Sequence, residues 1–207
     1  SLQSMASVNA QSLEASLQGK RNLIYAALSG DMDDEIAVEQ GIIKLHEKGK
    51  YIPKEEIGTL EDWELELYEE STQNPSEVIV GPVLWTEEGY YAMYMAKTIS
   101  IQGVIEGSVQ IELNLDEIYA VEQGLADLQL SNDGYCIVLD GDVVIMPSDY
   151  EETNISISHQ AENGCTIERV YETDSGIAKS TQKLIAHDTV KVGEDSYVLC
   201  IVEDYDM

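Results

Sequence analysis

From Ser76 to Asp116 the apolar and polar positions fall into a regular pattern. An apolar run leads to a turn at Thr86-Glu87-Glu88-Gly89. A long strand is predicted from Tyr90 to Ile99, then a turn at Gln102-Gly103, then a second long strand from Val104 to Leu115. Gly and polar pairs between apolar, aromatic-rich runs are the signals of antiparallel pairing. Beyond Gly107 the alternation is clean. Val109, Ile111 and Leu113 share one face, and Ser108, Gln110, Glu112 and Asn114 share the other. The first face is expected on a core; the second meets water or lines a pocket.

Before this stretch the period changes to a helical one. Met5, Val8, Leu13, Leu17, Ile24 and Leu28, with interspersed alanines, predict a helix from Ser1 to about Gly30. Ser, Asn and Gln dilute its first half, which is expected to project, while the second half packs on the sheet. Asp33 or Asp34 is placed to cap a helix from Glu35 to about Lys48, with Ile36, Ile42, Ile43 and Leu45 facing inward. An irregular acidic segment from Ile52-Pro53 leads to a short helix over Leu60 to Glu70, with Trp63, Leu67 and Glu70 on one side.

After the central strands, Leu115 to Leu128 reads as a helix through Ile118, Val121, Leu125 and Leu128. Tyr135 to Leu139 and Asp142 to Met146 form a hairpin around Asp140-Gly141, a favoured turn pair. Pro147 to about Asn163 reads as a polar loop. Cys165 to Tyr171, Gln182 to Asp188 and Val190 to Val202 supply further strands, with Gly193-Glu194-Asp195 a possible turn inside the last. The fold class is α+β. The chain is expected to form one domain overall, divided into residues 1–75, a long helix and helical insert, and residues 76–207, one antiparallel sheet.

Composition narrows the function. There are 40 acidic and 11 basic residues, for a formal net charge of -29. Such a chain repels phosphate backbones and anionic lipid, so no nucleic-acid partner is expected. Three cysteines are too few for a disulfide framework and match no zinc spacing. Asp140, Asp142 and Asp149 lack the EF-hand spacing and its closing Glu. Three scattered histidines form no ligand motif, and neither a nucleophile elbow nor a phosphate loop is present. No catalytic residue, metal or cofactor is expected. No signal peptide and no run of about twenty apolar residues is visible.

Two segments, EGYYAMYMAKTISIQGVIEGSVQIELNLDEI and GYCIVLDGDVVIMPSD, together with the closing DSYVLCIVEDYDM, cover most of residues 76–207. They resemble the strand–turn–strand–helix run, the hairpin and the last strand of the Cache family. These are the PAS-like extracellular sensor domains of bacterial receptors, in which a long first helix emerges from a membrane span. The resemblance implies a long N-terminal helix packed on a PAS-like sheet, with short helices and loops over the other, ligand-binding face. It places Glu112 at an often acidic, ligand-facing position and Trp85 near aromatic and acidic ones. Some members bind amino acids through an Arg-x-Trp-Tyr motif in the insert. Here the insert carries Glu61-Asp62-Trp63-Glu64 and Tyr68, without the Arg. That specificity is therefore not carried over; Lys97 and Arg169 are alternative carboxylate partners.

The expected function is ligand sensing on the extracellular side of a bacterial membrane, by a receptor of histidine-kinase, diguanylate-cyclase or chemoreceptor type with flanking membrane spans. The alternative is a ligand-free interaction or dimerisation module. Trp85, Tyr94 and Glu112 are expected to line the pocket, with Trp63 or Tyr68 as a lid and Tyr135 nearby. Aromatic walls and one carboxylate suit a cationic or amine-bearing small molecule. Met5, Val8, Leu13 and Leu17 lie near coiled-coil spacing, which predicts a weak parallel homodimer through the first helix.

Overall fold

The computed structural model describes residues 1–119, 134–150, 153–154, 163–174 and 177–205. The fold class is α+β, as expected, but the strands divide between two sheets rather than forming one. The chain separates into two compact units. One comprises Leu17–Thr86 and Ala92–Asn114; the other comprises Ser1–Ser16, Glu87–Tyr91 and Leu115–Met207. This division falls away from the boundary expected near residue 75. The long helix α1 (Leu2–Leu28) gives its first residues to one unit and the rest to the other. Among the described residues no helix is long and apolar enough to cross a membrane.

The unit built from Leu17–Thr86 and Ala92–Asn114 carries the five-stranded sheet. Its strands are β1 (Asp31–Met32), β2 (Lys48–Pro53), β3 (Val78–Trp85), β4 (Tyr91–Ile101) and β5 (Val104–Asn114). Their order is β1-β4-β5-β2, with β3 also paired to β4. The central hairpin forms as the pattern predicts. Gln102 and Gly103 both take positive φ, 49° and 81°, as the mirror-image turn of a tight hairpin requires. Val109, Ile111 and Leu113 are fully buried.

Helix α2 (Glu35–Lys44) packs toward that apolar face, its Ile42 and the sheet's Ile111 both reaching Gly49, and α1 packs in turn on α2. Asp34 Oδ1 accepts from Ala37 N at 2.9 Å and caps α2. A Cβ on Gly41 would lie 2.9 Å from Leu28 Cδ2 and from Ala27 O, so a glycine is what lets the two helices approach. A Cβ on Gly49 would meet Ile42 and Ile111 side chains. Arg21 Nε donates to Val78 O at 3.0 Å, and Lys20 pairs with Glu47.

Three expectations fail here. Ile36 and Ile43 are exposed, and the buried stripe of α2 is Val38, Gly41, Ile42 and Leu45. The segment after α2 is strand β2, hydrogen-bonded along β5 from Lys48↔Glu112 to Pro53↔Gly107. A short 3-10 helix (Lys54–Thr59) then leads to helix α3 (Asp62–Gln73). Its buried residues are Glu64, Leu67, Tyr68 and Ser71, not the predicted Trp63–Leu67–Glu70 side. It covers the polar face of β5, where Ser71 and Ser108 hydroxyls meet at 2.8 Å.

The other unit carries a six-stranded antiparallel sheet in the order β7-β6-β11-β10-β9-β8. The strands are β6 (Tyr135–Asp140), β7 (Val143–Met146), β8 (Thr153–Asn154), β9 (Asn163–Asp174), β10 (Ile177–Val192) and β11 (Asp195–Asp204). Ile137, Leu139, Ile185, Cys200 and Val202 form its core cluster. The first half of α1 does not project. Ala6, Ala10 and Leu13 are buried, Gln3 Nε2 donates to His187 O at 3.1 Å, and Lys191 N donates to Glu14 Oε1 at 2.7 Å. After Asn114 a helical turn spans Leu115–Glu117, and the remainder of the helix predicted to Leu128 lies largely outside the described residues.

Candidate functional site

The polar face of β5 is built in rows. The β4–β5–β2 register sets Lys48 and Tyr94 beside Glu112, then Lys50 and Ala96 beside Gln110. Side chains of one strand face recur every second residue, so these rows stack along a single surface. The N-terminal end of α3 lies over it and brings Glu61, Trp63 and Glu64. Together these groups enclose a cavity of about 280 Å³.

Tyr94 Oη donates to Glu112 Oε1 at 2.8 Å. Burial pushes the Tyr94 phenol well above its ordinary pKa, and the hydrogen bond to Glu112 and its charge add to this. The phenol is therefore held protonated as a donor. The Trp63 ring lies over Tyr94 with centroids 4.6 Å apart and planes at 48°. Trp63 Nε1 donates to Glu61 Oε2 at 2.9 Å, which fixes the indole.

Glu64 is buried, and burial alone would raise its carboxyl pKa. Hydrogen bonds from Lys50, from the Glu61 backbone N–H and from the Gln110 amide outweigh this and hold it below the ordinary glutamate value. Lys50 Nζ reaches Glu64 Oε2 at 2.7 Å, and Lys48 Nζ stands 3.6 Å from Glu112 Oε2. Both lysines are half-exposed at the rim, where ion pairs are weak. With three glutamates against two lysines, the lining is net acidic.

The structure thus brings Trp63, Tyr94 and Glu112 to one cavity. Trp85, Tyr68 and Tyr135 are not among its lining residues. Trp85 ends β3 and is 55% exposed. Tyr68 is buried one turn further along α3, its phenol raised by burial. Tyr135 belongs to the other sheet, where it packs on the core cluster and its hydroxyl accepts from Tyr150 Oη at 3.1 Å.

Lys97 is committed elsewhere: its ammonium donates to Pro75 O at 2.7 Å and Thr98 O at 3.0 Å. The Arg169 side chain lies outside the described residues. Lys48, Lys50, Glu61, Glu64 and Gln110 were not expected on the cavity. Gln110 was nevertheless readable, because it sits two residues from Glu112 on the same face of an alternating strand. Among the described residues no group of three or more His, Cys, Asp or Glu is placed to hold a metal ion.

The fold matches solved ligand-binding domains. The amino-acid chemoreceptor PctC of Pseudomonas aeruginosa, in complex with GABA, superposes with a TM-score of 0.66 at 13% identity, over 96% of both chains. PctB of the same organism, in complex with L-Arg, gives 0.65 at 15% identity, over 99% of this chain and 87% of that one. The chemoreceptor CtaA of Pseudomonas fluorescens, in complex with L-isoleucine, gives 0.59 at 14% identity, over 99% and 91%. At these identities the likeness is one of fold. No protein-family model and no curated protein sequence matches the chain.

Proposed function

We propose that the chain is the extracellular small-molecule-sensing domain of a bacterial transmembrane receptor, and that the cavity under α3 takes an amine-bearing or cationic ligand. The observation that carries this is the Trp63–Tyr94–Glu112 group: two rings in tilted contact and a carboxylate on the wall of one cavity. Ring faces and an anion both attract positive charge, and the cavity concentrates them. GABA and L-Arg, bound in two domains of the same fold, both bear amino groups. The Glu61-Asp62-Trp63-Glu64 sequence supports a cation rather than an amino-acid carboxylate. It places a glutamate where the resembled motif has its Arg, and that glutamate stands on the cavity wall.

Glu112→Gln tests the reading. The substitution keeps an acceptor for Tyr94 and removes the charge. It is expected to leave the melting temperature nearly unchanged and to weaken a cationic ligand, found by thermal-shift screening of amines, by about 1–3 kcal/mol. Calorimetry showing undiminished affinity would make the assignment wrong.

Assembly belongs to the same proposal. Leu13 and Leu17 of the predicted seam are buried within the chain itself. The opposite side of the first half of α1 carries Val8 and Ala15, both exposed, and offers a narrow apolar face for a second copy. The proposed homodimer uses this side and is weak without tethering.

A further inference from the structure

We infer that Gln110 makes this cavity select ammonium groups that carry N–H bonds over quaternary ammonium groups. The inference rests on the amine reading above and adds a selectivity that reading does not contain. Trp63 and Tyr94 attract any cation, methylated or not, through their ring faces. Glu112 attracts either kind of cation by its charge and adds a hydrogen bond only to one that carries N–H bonds. Gln110 is different in kind. It lines the cavity, is 8% exposed, and its Oε1 has no hydrogen-bond partner among the described residues.

The orientation of that amide is dictated by its neighbour. Glu64 is held as a carboxylate by Lys50 and can only accept, so it takes the N–H end of Gln110 and leaves the carbonyl end unpaired. A buried acceptor without a donor is unfavourable, and a bound molecule that supplies an N–H removes the penalty. Oε1 itself has almost no accessible surface, and because the last torsion of a glutamine is soft, a turn of the amide brings it to the cavity when a donor is bound there.

Gln110 and Glu112 lie two residues apart on one strand face, about 6.6 Å along the strand. Two hydrogen bonds of about 2.8 Å each, diverging tetrahedrally from one ammonium, bridge acceptors about 4.6 Å apart, and the Glu112 and Gln110 side chains are long enough to lean together by the remainder. One N–H then serves Glu112 and another serves Gln110. A trimethylammonium satisfies the rings and the charge but leaves Oε1 unpaired. A site built around a buried acceptor rejects the analogue that lacks the donor.

The test uses matched probes: butylamine, 1,4-diaminobutane and 2-phenylethylamine, each against its N-trimethylated counterpart, measured by calorimetry on the intact chain. The wild type is expected to prefer the primary amine of a binding pair by about ten- to hundredfold. In Gln110→Met, which keeps the length and removes the acceptor, the ratio should fall by about three- to tenfold, to the share that Glu112 supplies, through weaker amine binding and not tighter binding of the quaternary ion. Gln110→Glu, which keeps an acceptor, should retain the preference. Because the ratio is taken within one protein, a general loss of stability does not mimic the result. Equal binding of both members by the wild type, or an undiminished ratio in Gln110→Met, overturns the role of Gln110 while leaving the amine reading standing. Failure of every probe to bind the wild type overturns the amine reading, and this inference with it.

Discussion

Glu64 shows how much one residue carries in this fold. Its carboxylate caps the start of α3 through the Glu61 N–H at 3.3 Å, holds Lys50, and orients Gln110. Its pKa is depressed in the folded chain, so its contribution is present above the unfolded glutamate value and lost as pH falls through the folded one. Glu64→Gln is expected to cost about 1–2 kcal/mol at neutral pH. The share from Lys50 is small, because that side chain is 54% exposed. The gap between wild type and variant should close as pH drops below about 4. Urea midpoints at pH 7 and pH 3 measure it; a gap of the same size at both would mean the charge of Glu64 is not what stabilises the helix start.

At the scale of elements, the central hairpin was legible because strict alternation and a polar-Gly turn agree. Its cavity-facing pair followed, with Tyr94 lying directly opposite Glu112. Strand β2 was not legible, and its residues explain why. Its inward positions include Gly49, which is not apolar enough to mark a face, while its polar face ends on the buried Ile52. The phase of α2 was misread for a related reason. Hydropathy prefers Ile36 and Ile43, but Gly41 lets the helix approach α1 and so fixes which side is buried. Pairing of β2 with β5 depends on another glycine. A Cβ on Gly107 would lie 2.3 Å from Ile52 O, a backbone atom with little room to move. Gly107→Ala is expected to destabilise the fold by about 1–3 kcal/mol. Chemical denaturation reads that cost, and hydrogen exchange should show β2 amides losing protection first. An unchanged midpoint would show that the edge strand shifts freely.

For the whole molecule, local pattern identified strands without saying which sheet each joins. The β6–β11 pairing matches Leu139 with Val198, partners far apart in sequence that no turn signal links. Two sheets were therefore read as one. The same limit applied to α1, whose dilute first half buries Ala6 and Ala10 through small side chains that carry little hydropathy. What remains exposed on α1 sets the assembly prediction. Sedimentation velocity at high concentration is expected to show a weak dimer, and Ala15→Glu, on the exposed side, is expected to return it to monomer without lowering the melting temperature. Identical sedimentation of the two proteins across the concentration range would place the contact elsewhere.

The contact of Trp63 with Tyr94 on the cavity wall has an optical consequence. The chain has two tryptophans. Trp63 forms part of the cavity wall, while Trp85 is not among the lining residues and is largely exposed. A molecule that fills the cavity changes the polarity around one indole and leaves the other as a constant background. Intrinsic fluorescence is thus a built-in reporter of occupancy, and in a Trp85→Tyr chain excited at the red edge, where tyrosine does not absorb, the emission would come from the binding site alone.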